Sequence, residues 1–165
     1  MSTQVQKQSM TEEIAQVIKR FEASISLVEN EVKTSPSHIW DKAPAPGKWT
    51  IRQIMAHLAD CEAIAAMRFR LIAAQPGSTL TAFDQEIWAQ QLSYSKQPVE
   101  SALAAYVSMR RYNAEMLRHL PEDAWSHIAI HEERGPQTLT GMVEHNSKHA
   151  EDHAAQIHRI REQFA

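Results

Sequence analysis

Three histidines, His145, His149 and His153, recur at intervals of four within EHNSKHAEDHAAQIH. Four-residue spacing stacks side chains one turn above another on a single helix face. Imidazole is the commonest metal ligand, and the chain carries nine histidines against one cysteine. The chemistry this ladder offers is therefore metal ligation. Rungs four apart are separated by ~6 Å along the axis and rungs eight apart by ~12 Å, while metal–nitrogen bonds are only ~2.1 Å long. Two consecutive rungs can share one ion; all three fit one ion poorly. On a wheel whose buried side is set by Leu139, Met142, Ala150, Ile157, Ile160 and Phe164, His153 lies closest to the centre, His149 next and His145 near the edge. The wheel selects His149 and His153 and leaves His145 as a flanking group.

Two ligands from one helix make an incomplete site, and the third should come from another helix facing the same interior. His57, in KWTIRQIMAHLADCE, stands beside an apolar stripe two turns into its helix. Three imidazoles with open coordination positions have the form of a catalytic zinc site. The competing reading is a set of hydrogen-bonded boundary histidines, since a buried unpaired imidazole costs roughly 1–3 kcal/mol.

Other side chains near this set are catalytic candidates. Cys61 follows His57 by four residues and reads either as a nucleophile or extra ligand or as a small buried hydrophobe. Arg68 lies along the same line and would bind an anionic group or snorkel at the bundle's end. Asp60 and Asp152 could receive a ligand's free ring N–H, or lie on solvated helix surface. Glu62 falls at the far edge of the apolar stripe, poorly placed for a general base. Trp40, Trp49, Trp88 and Trp125 read as packing residues, with Trp88 also suited to a pocket mouth.

Helices must position these groups. SMTE offers a capping box with Ser9 at the N-cap and Glu12 at N3, and the first helix should stop before Pro36. TIRQ offers a second box at Thr50, with Trp49 and Ile54 spaced as a hydrophobic staple, and QPG at 75–77 ends that helix. Pro98 suits the first position of a third helix that runs toward Pro121. The fourth begins near Thr138. The spans are about 9–34, 50–74, 98–119 and 138–163 within one domain over 1–165. The link from Ala74 to Gln97 holds one short helix in FDQEIWAQQL, and that from Pro121 to Gln137 a small hairpin. The fold expected is all-α, a single four-helix bundle whose long connections permit crossovers.

The formal charge is −3, and no basic stripe with interleaved aromatics appears, which excludes nucleic acid as a partner. One cysteine allows no intrachain disulfide and suits a reducing compartment. MSTQVQKQSMTEE has no apolar h-region, and no run approaches about 18 apolar residues, so neither a signal peptide nor a membrane span is expected. The cytoplasm is the default location.

PAPGKWTIRQIMAHLADCE and TLTGMVEHNSKHAEDHAAQI, in that order, resemble the two signatures of the DinB-like family: a Trp-Ser/Thr start to a helix with one histidine, then His-x-x-x-His followed by Gln-Ile. Here the latter are His149, His153, Gln156 and Ile157, and the resemblance spans about Thr11 to Phe164. It implies an up-down-down-up bundle and one divalent ion, zinc or nickel, on His57, His149 and His153. It also implies hydrolysis or thiol-dependent S-transfer on a small molecule, the latter with a low-molecular-weight thiol, and a homodimer. A non-catalytic binding protein is the alternative. An ion on three neutral histidines lowers the pKa of water toward ~7, or takes a thiol as thiolate; the ligands do not choose between them.

Overall fold

The capping box at Thr50 is formed in full. Thr50 Oγ1 accepts from the Gln53 N–H at 3.3 Å, and Gln53 Oε1 accepts from the Thr50 N–H at 3.0 Å. These satisfy two amides that the first turn leaves open, and helix α2 (Ile51–Ala74) runs from there to the turn at Gln75. The computed structural model describes the backbone of residues 2–165 and the side chains of residues 11–165. Its other helices are α1 (Ser2–Thr34), α3 (Gln85–Gln91), α4 (Val99–Arg118) and α5 (Leu139–Phe164). Helix α1 thus begins ahead of the Ser9 start read from the sequence, and the Ser9 side chain, with its capping box, lies outside the described residues. Pro98 is the residue before α4 rather than its first residue. Thr138 caps α5 by accepting from the Gly141 N–H at 3.1 Å. Short α3 is capped by Asp84, which accepts from the amides of Glu86 and Ile87.

Ion pairs and packing fix the helix directions. Arg20 meets Glu151 at 2.7 Å and Glu31 meets Arg161 at 2.9 Å, so α1 and α5 run parallel. Arg52 reaches Gln97 O and Glu62 reaches Arg110, so α2 and α4 also run parallel. Leu58 and Ile54 pack with Ala154 and Ile157 at one end, while Phe69 and Ile72 pack with Met142 and Leu139 at the other. That makes α2 antiparallel to α5, and the course is up-down-down-up. Among the described residues no helix is long and apolar enough to cross a membrane.

A polar layer divides the apolar interior into two clusters. Arg110 and Glu62, each with its side chain only 2 % exposed, pair at 2.7 Å. Asn113 Nδ2 donates to the other Glu62 oxygen at 2.8 Å, and Arg110 also donates to Ser24 Oγ, Phe21 O and Asn146 O. Glu62 is therefore a core residue committed to four-helix packing, not a stripe-edge group or a base.

The links between helices carry a small sheet of order β1-β2-β3: β1 (Thr79–Leu80), β2 (Ile128–His131) and β3 (Gly135–Thr138). The β2–β3 hairpin is the one the sequence suggests. The parallel pairing of β1 with β2, Leu80 opposite His131, is an addition to the all-helical expectation. A two-residue strand is too short to show alternation.

Candidate metal centre

The antiparallel crossing of α2 and α5 brings His57 against the histidine ladder. His149 Nε2 lies 3.1 Å from His57 Nε2 and 3.1 Å from His153 Nε2. His57 is 1 % exposed and its ring packs edge-on against Trp49, centroids 4.9 Å apart. Gln156, one turn after His153, accepts at Oε1 from His153 Nδ1 at 3.0 Å. That bond leaves the His153 Nε2 lone pair turned to the cluster. Two ligand nitrogens ~2.1 Å from one tetrahedral ion stand ~3.4 Å apart, close to both observed separations.

Hydrogen bonding alone does not satisfy this arrangement. A neutral imidazole has one N–H and one lone-pair nitrogen. With the His153 Nε2 lone pair facing inward, one proton on His149 Nε2 serves His57 or His153 but not both. If His57 donates to His149 instead, His149 and His153 meet lone pair to lone pair. A cation resolves the conflict and a second proton does not. Burial, and then His153, push His57 down to about 3; burial, then His153 and His57, do the same to His149. Burial also lowers His153. All three are neutral at pH 7, as ligands must be.

Cys61 Sγ lies 3.4 Å from His57 Nε2, and Cys61, His57 and His149 offer ligand atoms within 4.8 Å of one another. The cysteine is thus a donor in reach, although burial first and Asp60 second push its thiol up to about 12. Asp60 and Asp152 do not touch the ligand rings: Asp60 accepts from Tyr94 Oη at 2.6 Å, and Asp152 pairs with Lys148 on the surface.

The buried face of α5 differs from the wheel's. Val143, Ser147, Ala150, Ala154 and Ile157 occupy its centre, while His149 and His153 are only half-buried. Helix α5 packs against α1 as well as α2, which moves the apolar centre away from the ladder and turns the histidines toward α2. His149 is the rung 3.1 Å from His57, and His153 the rung 3.1 Å from His149; the placing of His153 closest to the centre of the buried side does not hold.

A cavity of about 290 Å³ opens beside the cluster, lined by His57, Cys61 and His149 among others. His145 also lines it, its ring stacked toward His149 at 6.4 Å and its Nε2 2.8 Å from Arg134 Nη1. Arg68 reaches its wall, 9 % exposed, with Nη2 donating to Thr81 O at 2.5 Å. Burial first, and then Arg134, hold Arg68 below its ordinary range. Trp88 does not line the cavity but packs at a tilt against Phe83, which does, centroids 4.6 Å apart. His131 and Arg134 arrive on the hairpin and carry no local signal in the sequence. Gln156 does, through its three-residue spacing from His153.

The depressed histidines tie stability to pH. A histidine held neutral in the fold and free to protonate at about 6.5 when unfolded contributes stability above that pH. The contribution is lost as pH falls toward about 3. For His57 and His149 together, the metal-free protein should lose on the order of 2–4 kcal/mol between pH 7 and pH 5. Urea melts across that range measure it, and H149Q should show about one proton less in the slope. Equal stability at pH 7 and pH 5 in the parent protein would show that the rings protonate freely in the fold.

The molecule is thus an up-down-down-up helix bundle with an imidazole cluster lining a polar cavity. The chain belongs to the DinB superfamily, which residues 20–157 match. It is 26 % identical over 154 residues to "Putative metal-dependent hydrolase OB0413" of Oceanobacillus iheyensis, covering 93 % of this chain and 88 % of that one. A like-named protein of Bacillus mycoides is 28 % identical over 118 residues, 72 % of this chain and 68 % of its own. Among solved structures, YfiT from Bacillus subtilis, a four-helix bundle of unusual topology, superposes with a TM-score of 0.84 at 20 % identity, over 91 % of this chain and 86 % of its own. A mycothiol-dependent maleylpyruvate isomerase gives 0.73 at 12 % identity, over 87 % and 60 %. Both likenesses concern the fold.

Proposed function

We propose that this protein is a divalent-metal enzyme acting on a small molecule, with the ion held by Nε2 of His57, His149 and His153. The observation that carries the reading is the placing of His149 Nε2 3.1 Å from both His57 Nε2 and His153 Nε2, where the rings' own protons cannot satisfy both contacts. His153 is preferred to Cys61 as third ligand. Gln156 already fixes its ring with the lone pair inward, whereas Cys61 must give up a proton that burial holds tightly. Zinc and nickel both suit imidazole donors. When bound, the ion supplies Lewis acidity and open positions for water, thiol or substrate.

The protein's own contribution is placement. Trp49 and Gln156 orient two of the rings, and the cavity beside His57, Cys61 and His149 admits a small substrate. Hydrolysis is the favoured reaction, in keeping with the names of the relatives. Thiol-dependent S-transfer is the second reading, favoured by the likeness in fold to a mycothiol-dependent enzyme.

The test is elemental analysis of protein purified without a histidine tag. About one divalent ion per chain is expected in the parent, C61S and H145A proteins, and little in H153A. Retention in H153A with loss in C61S would move the third ligand to Cys61, and no metal in any of them would end the proposal. Ester and amide substrates, with and without added thiol, then separate hydrolysis from S-transfer.

A further inference from the structure

Arg20, Arg52, Arg110, Arg118 and Arg161 each end on a carboxylate. Arg68 does not. It is more deeply buried than most of these, yet among the described residues its protein acceptor is one backbone oxygen, Thr81 O. A guanidinium carries five N–H donors in a fixed fork, and a buried cation without a counter-charge is costly. The Phe83 ring, 5.9 Å from Arg68 Cζ, offers its face but no charge. The other groups on this wall are also cationic or neutral: Arg134, His131 and His145. Glu133, the one carboxylate among the described lining residues, is exposed on the hairpin. The same cavity is also lined by His57 and His149.

We propose that Arg68, with the more exposed Arg134 on the same cavity lining, binds the oxyanion group of the substrate, a carboxylate or a phosphate, and so orients its other end toward the histidine cluster. His57 and Arg68 are eleven residues apart, about 16 Å of helix rise. Helical side chains lean toward the N-terminus, so the long Arg68 side chain shortens that gap but does not close it. The ligand is accordingly an elongated organic anion, charged at one end and reacting several bonds away. Arg68 is in this role a binding and positioning residue. A bidentate fork fits the planar geometry of either oxyanion. That the far end is the reacting end rests on the metal site proposed above; the anion site itself does not.

The probes are adipate, its neutral isostere adipamide, and inorganic phosphate, added to the full chain after chelator treatment. Arginine side-chain Nε–H resonances are followed by NMR in the parent protein, which needs no variant to fold. Adipate or phosphate should shift the Arg68 resonance with a salt-sensitive affinity, the more effective of the two naming the end group, and adipamide should not. R68Q should weaken binding at least tenfold and R134Q by less, while R68K, which keeps charge without the fork, should fall between R68Q and the parent. An unmoved Arg68 resonance, or parent-like binding in R68Q, would overturn the proposal. Adipate that binds only after zinc is restored, with Arg68 unmoved, would overturn it and leave the metal reading intact. A shift of Arg68 in protein that never takes up zinc would uphold it while the metal reading fell.

Discussion

A His149→Ala protein is expected to keep its helical fold and lose divalent-ion affinity by more than the roughly 10–100-fold that follows removal of an outer-sphere partner. His149, like His57, belongs to both candidate donor sets. Its Nε2 is 3.1 Å from both His57 and His153, and it is also grouped with His57 and Cys61. A substitution there removes a ligand whichever third donor is in place. The fold should persist because both apolar clusters are built from residues other than this half-buried ring. Competition with a chromophoric chelator gives the affinity and far-ultraviolet circular dichroism the helicity. Parent-like affinity in H149A would exclude the cluster as the metal site altogether.

Replacing Arg110 by alanine is expected to cost about 3–5 kcal/mol of folding stability, a large part of the 5–15 kcal/mol typical of a domain. The change strands Glu62, whose side chain is 2 % exposed, with the neutral Asn113 amide as its remaining hydrogen-bond partner. It also removes the donors to Ser24 Oγ, Phe21 O and Asn146 O and the guanidinium stacked 3.8 Å from the Phe21 ring centroid. The loss should be strongly non-additive: a double variant with Glu62→Leu and Arg110→Met leaves no charge unpaired and should be less damaging than R110A. Urea denaturation of the three proteins decides it. A loss below about 1 kcal/mol in R110A would mean that water reaches Glu62 once the arginine is gone.

Much of the frame was legible because it depends on neighbours in the chain. Thr50 and Gln53 are three residues apart, and the capping box they form needs only its own first turn. The same holds for the Thr138 cap, the stop before Pro36, the turn at QPG and the spacing of His149 and His153. What depended on two elements meeting was not legible. Glu62 and Arg110 are 48 residues apart; Glu62 reads as the far edge of an apolar stripe and Arg110 carries no signal of its own until the parallel packing of α2 and α4 places them face to face. His131 and Arg134 reach the cavity only because β2 pairs with a two-residue strand after α2 and turns back on β3. Asp60, plausible as a partner for His57, turns instead to Tyr94 from the α3–α4 link. The buried side of α5 moved because that helix packs on α1 as well as α2. Which residues are helical, where helices stop and which imidazoles share a face follow from backbone geometry within a turn or two, and so from the order of the amino acids. Which charges are buried together and which cations face the cavity came from the packed fold, since burial and partnership depend on the relative direction and register of distant helices.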